Sequence, residues 1–297
     1  MNRQQQEYET KRVKVVSQHP YASRSETGPV ADHNEDRVLA RPEQGLWVVA
    51  DGMGGHEAGE VASEVVIEAI EEALADGRSL AQAVQHAHQA IKYAAESGRG
   101  AVGMGSTVVA VRLDGHDYEL AWVGDSRAYL WDPGKDGDCL IQLSHDHSFV
   151  QRLVDTGNLT DAEARIHPHR NIITQSLGAV DIDAVDVGAV NGRLYRGQHI
   201  LLCSDGLTDV LDDAELCDFL RQSRDIQQQV DALVEEVIRR EGRDNISVQV
   251  ISAAPDAPLP GSDAMSAGAL RDLTRRMPLL TVLVLILVLI LLAAALL

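Results

Sequence analysis

Two short apolar runs, 13–18 and 45–50, read as β-strands, and the second (LWVVA) leads straight into Asp51-Gly52. The period then changes. Ala62, Val65, Val66, Ala69 and Ala73 recur at the spacing of one helix face, and Val84, Ala87, Ile91 and Ala94 repeat it. Two amphipathic helices joined around Asp76-Gly77 are therefore expected. Apolar stretches at 106–113, 118–123, 128–131 and 140–143, separated by turn signals such as Asp114-Gly115, predict further strands. The polar stretch 145–178 has room for one or two short helices. Strands resume at 182–190 and 199–203. A helix follows over 226–240, with Val230, Leu233, Val234, Val237 and Ile238 on one face, and a last strand covers 246–251. Runs of strands broken by helix pairs predict an α+β fold, with sheet packed on sheet and helices outside, and not a doubly wound parallel sheet.

The ends of the chain differ from this pattern. The first residues, MNRQQQEYETKR, contain no apolar run and predict no secretory signal. The run AAPDAPLPGSDAMSAG at 253–268 is rich in Pro, Gly, Ala and Ser and predicts a linker. Residues 279–297 then carry no charge, and Thr281 is their single polar side chain. As a helix this segment would be about 28 Å long, enough to cross a bilayer's hydrocarbon core. Arg271, Arg275 and Arg276 precede it and favour a cytoplasmic start. The expected organisation is a globular domain over 1–252, a linker with a basic flank over 253–278, and a single-pass tail anchor over 279–297. The domain would lie on the cytoplasmic side of the cell inner membrane.

The 297-residue chain has 45 acidic and 26 basic side chains, a net charge of −19. That balance argues against a nucleic-acid partner, because phosphate polyanions are held mainly by Lys and Arg. The three cysteines, Cys139, Cys203 and Cys217, lack C-x-x-C spacing. They predict neither a disulfide framework nor a thiolate zinc site, and fit a reducing compartment as small buried apolar residues.

The carboxylates are more informative. Glu35 and Asp36 (HNEDR), Asp51 (VVADGMGG), Asp125 (WVGDSR), Asp205 (LLCSDGL) and Asp244 (GRDNIS) recur at strand ends. A single Asp-Gly is most often a turn, but strand ends of one sheet cluster in space. Clustered carboxylates repel one another unless a cation neutralises them. An all-oxygen set without cysteine suits Mg²⁺ or Mn²⁺. Gly52, Gly54 and Gly55 allow close backbone approach to a metal or anion. The pairs His145/His147 and His167/His169 lack further zinc ligands nearby. His56, beside the glycine run, could protonate a leaving oxygen near neutral pH.

Taken in order, NED at 34–36, DGMGGHEAGE at 51–60, MGSTVVAV at 104–111, GDSRAYL at 124–130, SDGL at 204–207 and RDNISV at 243–248 resemble the metal-dependent (PPM, or type 2C) protein serine/threonine phosphatases. The DGMGGH form is similar to bacterial members. The resemblance implies a sandwich of two antiparallel sheets flanked by helix pairs. It implies two or three Mg²⁺ or Mn²⁺ ions per active site. Asp51 would bridge two ions, Glu35 and the Gly52 carbonyl would serve one, Asp205 and Asp244 the other, and Asp125 with Asp205 a weaker third. Asp36 and Asn245 would orient water, and His56 would act as general acid. The family's flap segment would fall at 145–178. The implied reaction is hydrolysis of phosphoserine and phosphothreonine on proteins by a hydroxide bridging the ions. The implied partners are phosphorylated proteins and a cognate serine/threonine kinase system.

One position departs from the family pattern. Three residues before Asn34, where the family places a phosphate-clamping arginine, this chain has Ala31. Arg37 or Arg24 could supply a replacement fork, and Gln175 and Ser176 stand in the flap where a basic residue is common. The alternative is a non-catalytic phosphoprotein-binding or scaffold module of the same fold. A metal-dependent nuclease would fit the carboxylates but not the acidic surface.

Overall fold

The structure, a computed structural model, describes residues 19–55, 57–134, 139–223 and 225–260. The expected strand at 13–18, His56 and the apolar segment 279–297 lie outside the described residues. By its contacts the chain divides into two units, 1–257 and 258–297.

In the first unit β1 (Tyr21–Glu26) and β2 (Asp36–Arg41) precede β3 (Leu46–Met53), and two long helices follow, α1 (Ala58–Ala75) and α2 (Leu80–Glu96). Next come β4 (Gly105–Ser106), β5 (Val108–Asp114), β6 (Asp117–Val123), β7 (Arg127–Trp131) and β8 (Leu140–Gln142). The short helices α3 (Phe149–Asp155) and α4 (Asp161–Arg165) lead to β9 (Gly188–Arg193) and β10 (His199–Cys203). Helices α5 (Asp205–Thr208), α6 (Asp213–Gln222) and α7 (Ile226–Arg239) precede β11 (Ile246–Ser252). One sheet has the order β1-β11-β10-β7-β8, the other β2-β3-β5-β6-β9 with β4 on β3. Every pairing between these strands is antiparallel.

The two-residue period of each central strand builds the layers. In β3, Trp47 and Val49 face the other sheet while Leu46, Val48 and Ala50 meet α1 and α2. In β10, Ile200 and Leu202 fill the space between the sheets, and Leu201 and Cys203 pack with residues of α6 and α7. Because both faces are covered, these strands read as unbroken apolar runs. The result is helices, sheet, sheet, helices, as the sequence predicts. Helix α2 begins at a reciprocal cap, with the Gln82 amide donating to Ser79 Oγ (3.3 Å) and the Ser79 amide to Gln82 Oε1 (3.0 Å).

Three expectations are corrected. The strand expected at 182–190 is displaced to 188–193. Ile182, Val185 and Val187 pack on the α1–α2 core, and the Ile182 carbonyl accepts bonds from His88 Nε2 (3.2 Å) and Lys92 Nζ (2.7 Å). Carbonyls bound to helix side chains in this way are not offered to a ladder. Ala253, Ala254 and Ala257, expected in the linker, are buried, and the Ala253 amide donates to the Gln198 carbonyl (2.9 Å). Cys139 and Cys217 are joined as a disulfide with Cα atoms 6.4 Å apart, while Cys203 is free and buried. Local spacing gave no sign of this bond because it spans 78 positions.

Candidate metal centre

Strand register brings the first two carboxylates together. Asp36 on β2 lies directly opposite Asp51 on β3, so their side chains share a face. Asp125 follows β6, Asp205 opens α5 directly after β10, and Asp244 lies just before β11. The ladder sets Cys203 opposite both Arg127 and Val248, which carries Asp125, Asp205 and Asp244 to one end of the sandwich.

The charges register this proximity. Desolvation pushes the Asp51 carboxyl well above its usual range, and the charges of Asp36, Asp205, Asp125 and Asp244 push it further. Asp205 is raised in the same way, by desolvation and then by Asp125, Asp244, Asp209 and Asp36. Asp36, 2% exposed, is pushed up to about 6 by burial, although hydrogen bonds from Ser247 and Ser204 hold it down. Asp125 is pushed up to about 7 by desolvation and the charge of Asp146. Glu35 is raised by burial, then by Asp244 and Glu60. Acids that repel one another from several strands form an anionic hollow that a cation would relieve.

Two further features fit a hard cation. Asp205 Oδ1 is buried without a hydrogen-bond partner. A side chain at Gly59 would collide with the Glu35 carboxylate, and one at Gly52 with the Gly59 and Glu35 carbonyls, so both glycines clear space around these donors. The donors are all oxygen, the chemistry of Mg²⁺ or Mn²⁺. Among the described residues, no three His, Cys, Asp or Glu side chains already close on a single ion position.

The hollow is braced by Asn245 and by further residues for which the sequence implies no site role. Ser204 Oγ donates to Asp36 Oδ2 (2.9 Å) and accepts from the Ser247 amide (3.0 Å). The Asp51 carbonyl accepts from the Thr107 amide (2.8 Å) and Ser106 Oγ (3.0 Å). Asn245 Oδ1 accepts from the Glu35 amide (2.8 Å), and its Nδ2 donates to the His33 carbonyl (3.0 Å), so it ties the β2 entrance to the β11 entrance. Gly28 lies so close to the Asp244 backbone that a Cβ there would overlap it. The Ala31 amide closes that turn on the Gly28 carbonyl (3.1 Å).

Neither arginine suggested as a phosphate fork is free for it. Arg37 donates to the Asn34 and Asp36 carbonyls (2.9 Å each) and to Glu60 (3.3 Å). Arg24 pairs with Glu26, Asp231 and Glu235, none of which belongs to the carboxylate ring. The histidine pairs are also occupied: His145 bonds Asp155 (2.9 Å), His147 Nδ1 accepts from the Gly124 amide (3.3 Å), and the His167 and His169 rings flank Phe149.

Asp125 and Asp205 also line a cavity of about 380 Å³. Its far wall comes from the 145–178 segment, through α3 and α4, and its near wall from α5 and the start of α6. That segment is fastened at its head by the His147 amide to the Gly124 carbonyl (2.9 Å). At its foot Leu177 exchanges backbone bonds with Ser106 (2.8 and 3.1 Å).

Comparison with known proteins agrees with this geometry. Residues 30–244 match the family model for protein phosphatase 2C. The serine/threonine phosphatase stp of Listeria innocua is 34% identical over 241 residues, covering 77% of this chain and 93% of that protein. The serine/threonine protein phosphatase PstP of Mycobacterium tuberculosis is 37% identical over 236 residues, covering 77% of this chain and 44% of that longer protein. A crystal structure of the PstP catalytic domain in complex with 2 manganese ions superposes with a TM-score of 0.67 at 35% identity, covering 79% of this chain and 97% of that one. The motif order, the paired sheets and these relatives agree: the chain belongs to the protein phosphatase 2C family of serine/threonine phosphatases.

Proposed function

We propose that this chain hydrolyses phosphoserine and phosphothreonine on proteins at the carboxylate ring, with two or three Mg²⁺ or Mn²⁺ ions per site. The observation that carries this reading is the convergence of Asp51 with four other aspartates, Asp36, Asp125, Asp205 and Asp244, drawn from separate strand ends. Asp51, Glu35, the Gly52 carbonyl, Asp205, Asp244 and Asp125 are the oxygen donors that would hold the ions. When bound, the ions supply positive charge that acidifies water and neutralises phosphoryl oxygens.

The remaining work falls to the chain itself. Asp36, held by Ser204, would orient a water molecule. Asn245 keeps the β2 and β11 entrances in register. His56 is assigned the proton for the leaving serine or threonine oxygen. Ala31 lacks a guanidinium, so phosphate is held with one fork fewer, which raises KM before it touches kcat. The substrates are phosphorylated proteins, and a cognate serine/threonine kinase would supply them. The 279–297 segment is assigned as a membrane anchor, with the phosphatase unit at the cytoplasmic face of the inner membrane. Among the described residues no helix is long and apolar enough to span a membrane, so this assignment rests on the sequence. Carbonate extraction should leave the full chain in the membrane pellet, and recovery in the supernatant would overturn the anchor.

A second reading, phosphoprotein binding without turnover, is favoured by one observation, the engagement of Arg24 and Arg37 elsewhere. Phosphate release from a phosphothreonine peptide separates the two. The first reading requires release with Mn²⁺, its arrest by chelator, and loss in Asp205→Asn. Binding with no release at any Mn²⁺ concentration would establish the second.

A further inference from the structure

A chain of polar contacts runs beneath the 380 Å³ cavity and is not needed to hold a cation. Arg127 on β7 grips Asp146, at the head of the 145–178 segment, with the Nε–Nη2 edge of its guanidinium. Nε lies 3.0 and 2.9 Å from the two carboxylate oxygens, and Nη2 donates to Oδ2 at 2.7 Å. Gln142 on β8 donates to the same carboxylate (2.9 Å). The third nitrogen, Nη1, donates to the Tyr129 hydroxyl (3.1 Å), and that hydroxyl donates to Asp213 Oδ1 (3.2 Å) at the first residue of α6. Tyr129 is fully buried and Asp146 is 6% exposed. A bidentate, charge-assisted pair is among the stronger side-chain contacts and is directional. A buried hydroxyl that both accepts and donates fixes its two neighbours at one separation.

The position of this chain gives it a role. Arg127, Asp146 and Asp213 all line the cavity, together with Asp125 and Asp205 of the candidate metal centre. Asp213 stands on one wall, Asp146 begins the other, and Arg127 and Tyr129 join them across the floor. The cavity adjoins the ring through Asp125 and Asp205, so it offers a course for polypeptide flanking a phosphorylated residue. We infer that the Asp213–Tyr129–Arg127–Asp146 chain positions the 145–178 segment against α6, and so sets the width of the groove that holds a phosphorylated peptide beside the reacting phosphate. This rests on the hydrolytic reading above and adds to it a set of positioning residues that touch neither ion nor phosphate.

The role separates small substrates from large ones. A small ester such as p-nitrophenyl phosphate needs only the ring, whereas a phosphothreonine peptide needs the groove as well. Tyr129→Phe removes one hydroxyl, keeps the ring packed, and leaves the Arg127–Asp146 fork intact. In the full chain with Mn²⁺ it should raise the KM for a phosphothreonine peptide about fivefold. Turnover of p-nitrophenyl phosphate should stay close to wild type, and the chain should remain folded at the assay temperature. Arg127→Lys keeps the charge but loses the fork, and should raise peptide KM further than Tyr129→Phe while preserving small-ester kcat. Peptide Kd, read by fluorescence anisotropy on the same samples, should follow peptide KM. An equal fractional loss on both substrates, or an unmoved peptide KM and Kd in Tyr129→Phe, would overturn the inference. A wild-type chain that turns over neither ester would contradict the hydrolytic reading, and the change in peptide Kd would still decide the positioning role.

Discussion

Asp36 and Ser204 show how much of the site depends on residues that touch no substrate. Asp36 is buried and pushed up to about 6, and the Ser204 hydroxyl, itself fixed by the Ser247 amide, is one of the groups favouring its charged form. Ser204→Ala should therefore weaken Mn²⁺-dependent kcat/KM by about 10- to 100-fold, the usual cost of removing a bond that orients a metal-site carboxylate. An unchanged kcat/KM would show that Asp36 needs no orienting. A second titratable group affects stability alone. His199 is buried against Trp131, with ring centroids 4.7 Å apart, and burial lowers it to about 4. The unfolded chain takes up this proton near pH 6.5, while the folded chain resists it until about 4. The contribution is therefore intact above 6.5 and is lost as pH falls from 6.5 to 4, by about 3 kcal/mol in all. Urea unfolding at pH 7 and pH 4.5 should show the loss in wild type and a smaller one in His199→Gln. Equal losses in both would assign the acid sensitivity to other groups.

Elements with a strong period and both faces covered were legible from sequence, and those held by specific bonds were not. Helices α1, α2 and α7 and strands β3, β6, β10 and β11 lie where the apolar pattern put them, because burial alone decides them. Strand β2 carries no clear apolar period because it is an edge strand of mixed polarity, with Arg37 and Arg41 turned to Glu60 and Glu71. Helix α6 is hidden in the apolar pattern because its signal is a cap, the Asp212 carboxylate accepting from the Glu215 amide (2.8 Å), and not a long apolar stripe. The carboxylate motifs were legible as strand ends, but their cross-strand pairing, Asp36 opposite Asp51, needed the register. The Arg127–Asp146 fork joins the GDSRAYL motif to the 145–178 segment and leaves no trace in local spacing. Caps also carry a measurable share of stability. Ser79→Ala removes one half of the α2 capping box and should cost about 1 kcal/mol in denaturant unfolding, with phosphate release unchanged. A cost near zero would show that the packing of α2 on α1 carries the helix start alone.

At the scale of the whole molecule, the sandwich is a device for bringing distant acids together. Asp51 near the end of β3, with the loops leaving β6 and β10 and entering β11, places aspartates at one rim from positions 51 to 244 of the sequence. A chain with a net charge of −19 would repel a phosphorylated protein unless cations at that rim reverse the local field. The proposed hydrolysis therefore depends on whether the rim takes up metal. Equilibrium titration of the full chain with Mn²⁺, read by calorimetry beside Asp51→Asn, measures this directly. The wild-type chain should bind at least two ions with its carboxylates intact, and Asp51→Asn, which removes the shared donor, should lose that uptake while remaining folded. A folded wild-type chain that binds no Mn²⁺, or an Asp51→Asn variant that binds it equally well, would contradict the carboxylate ring as the seat of the chemistry.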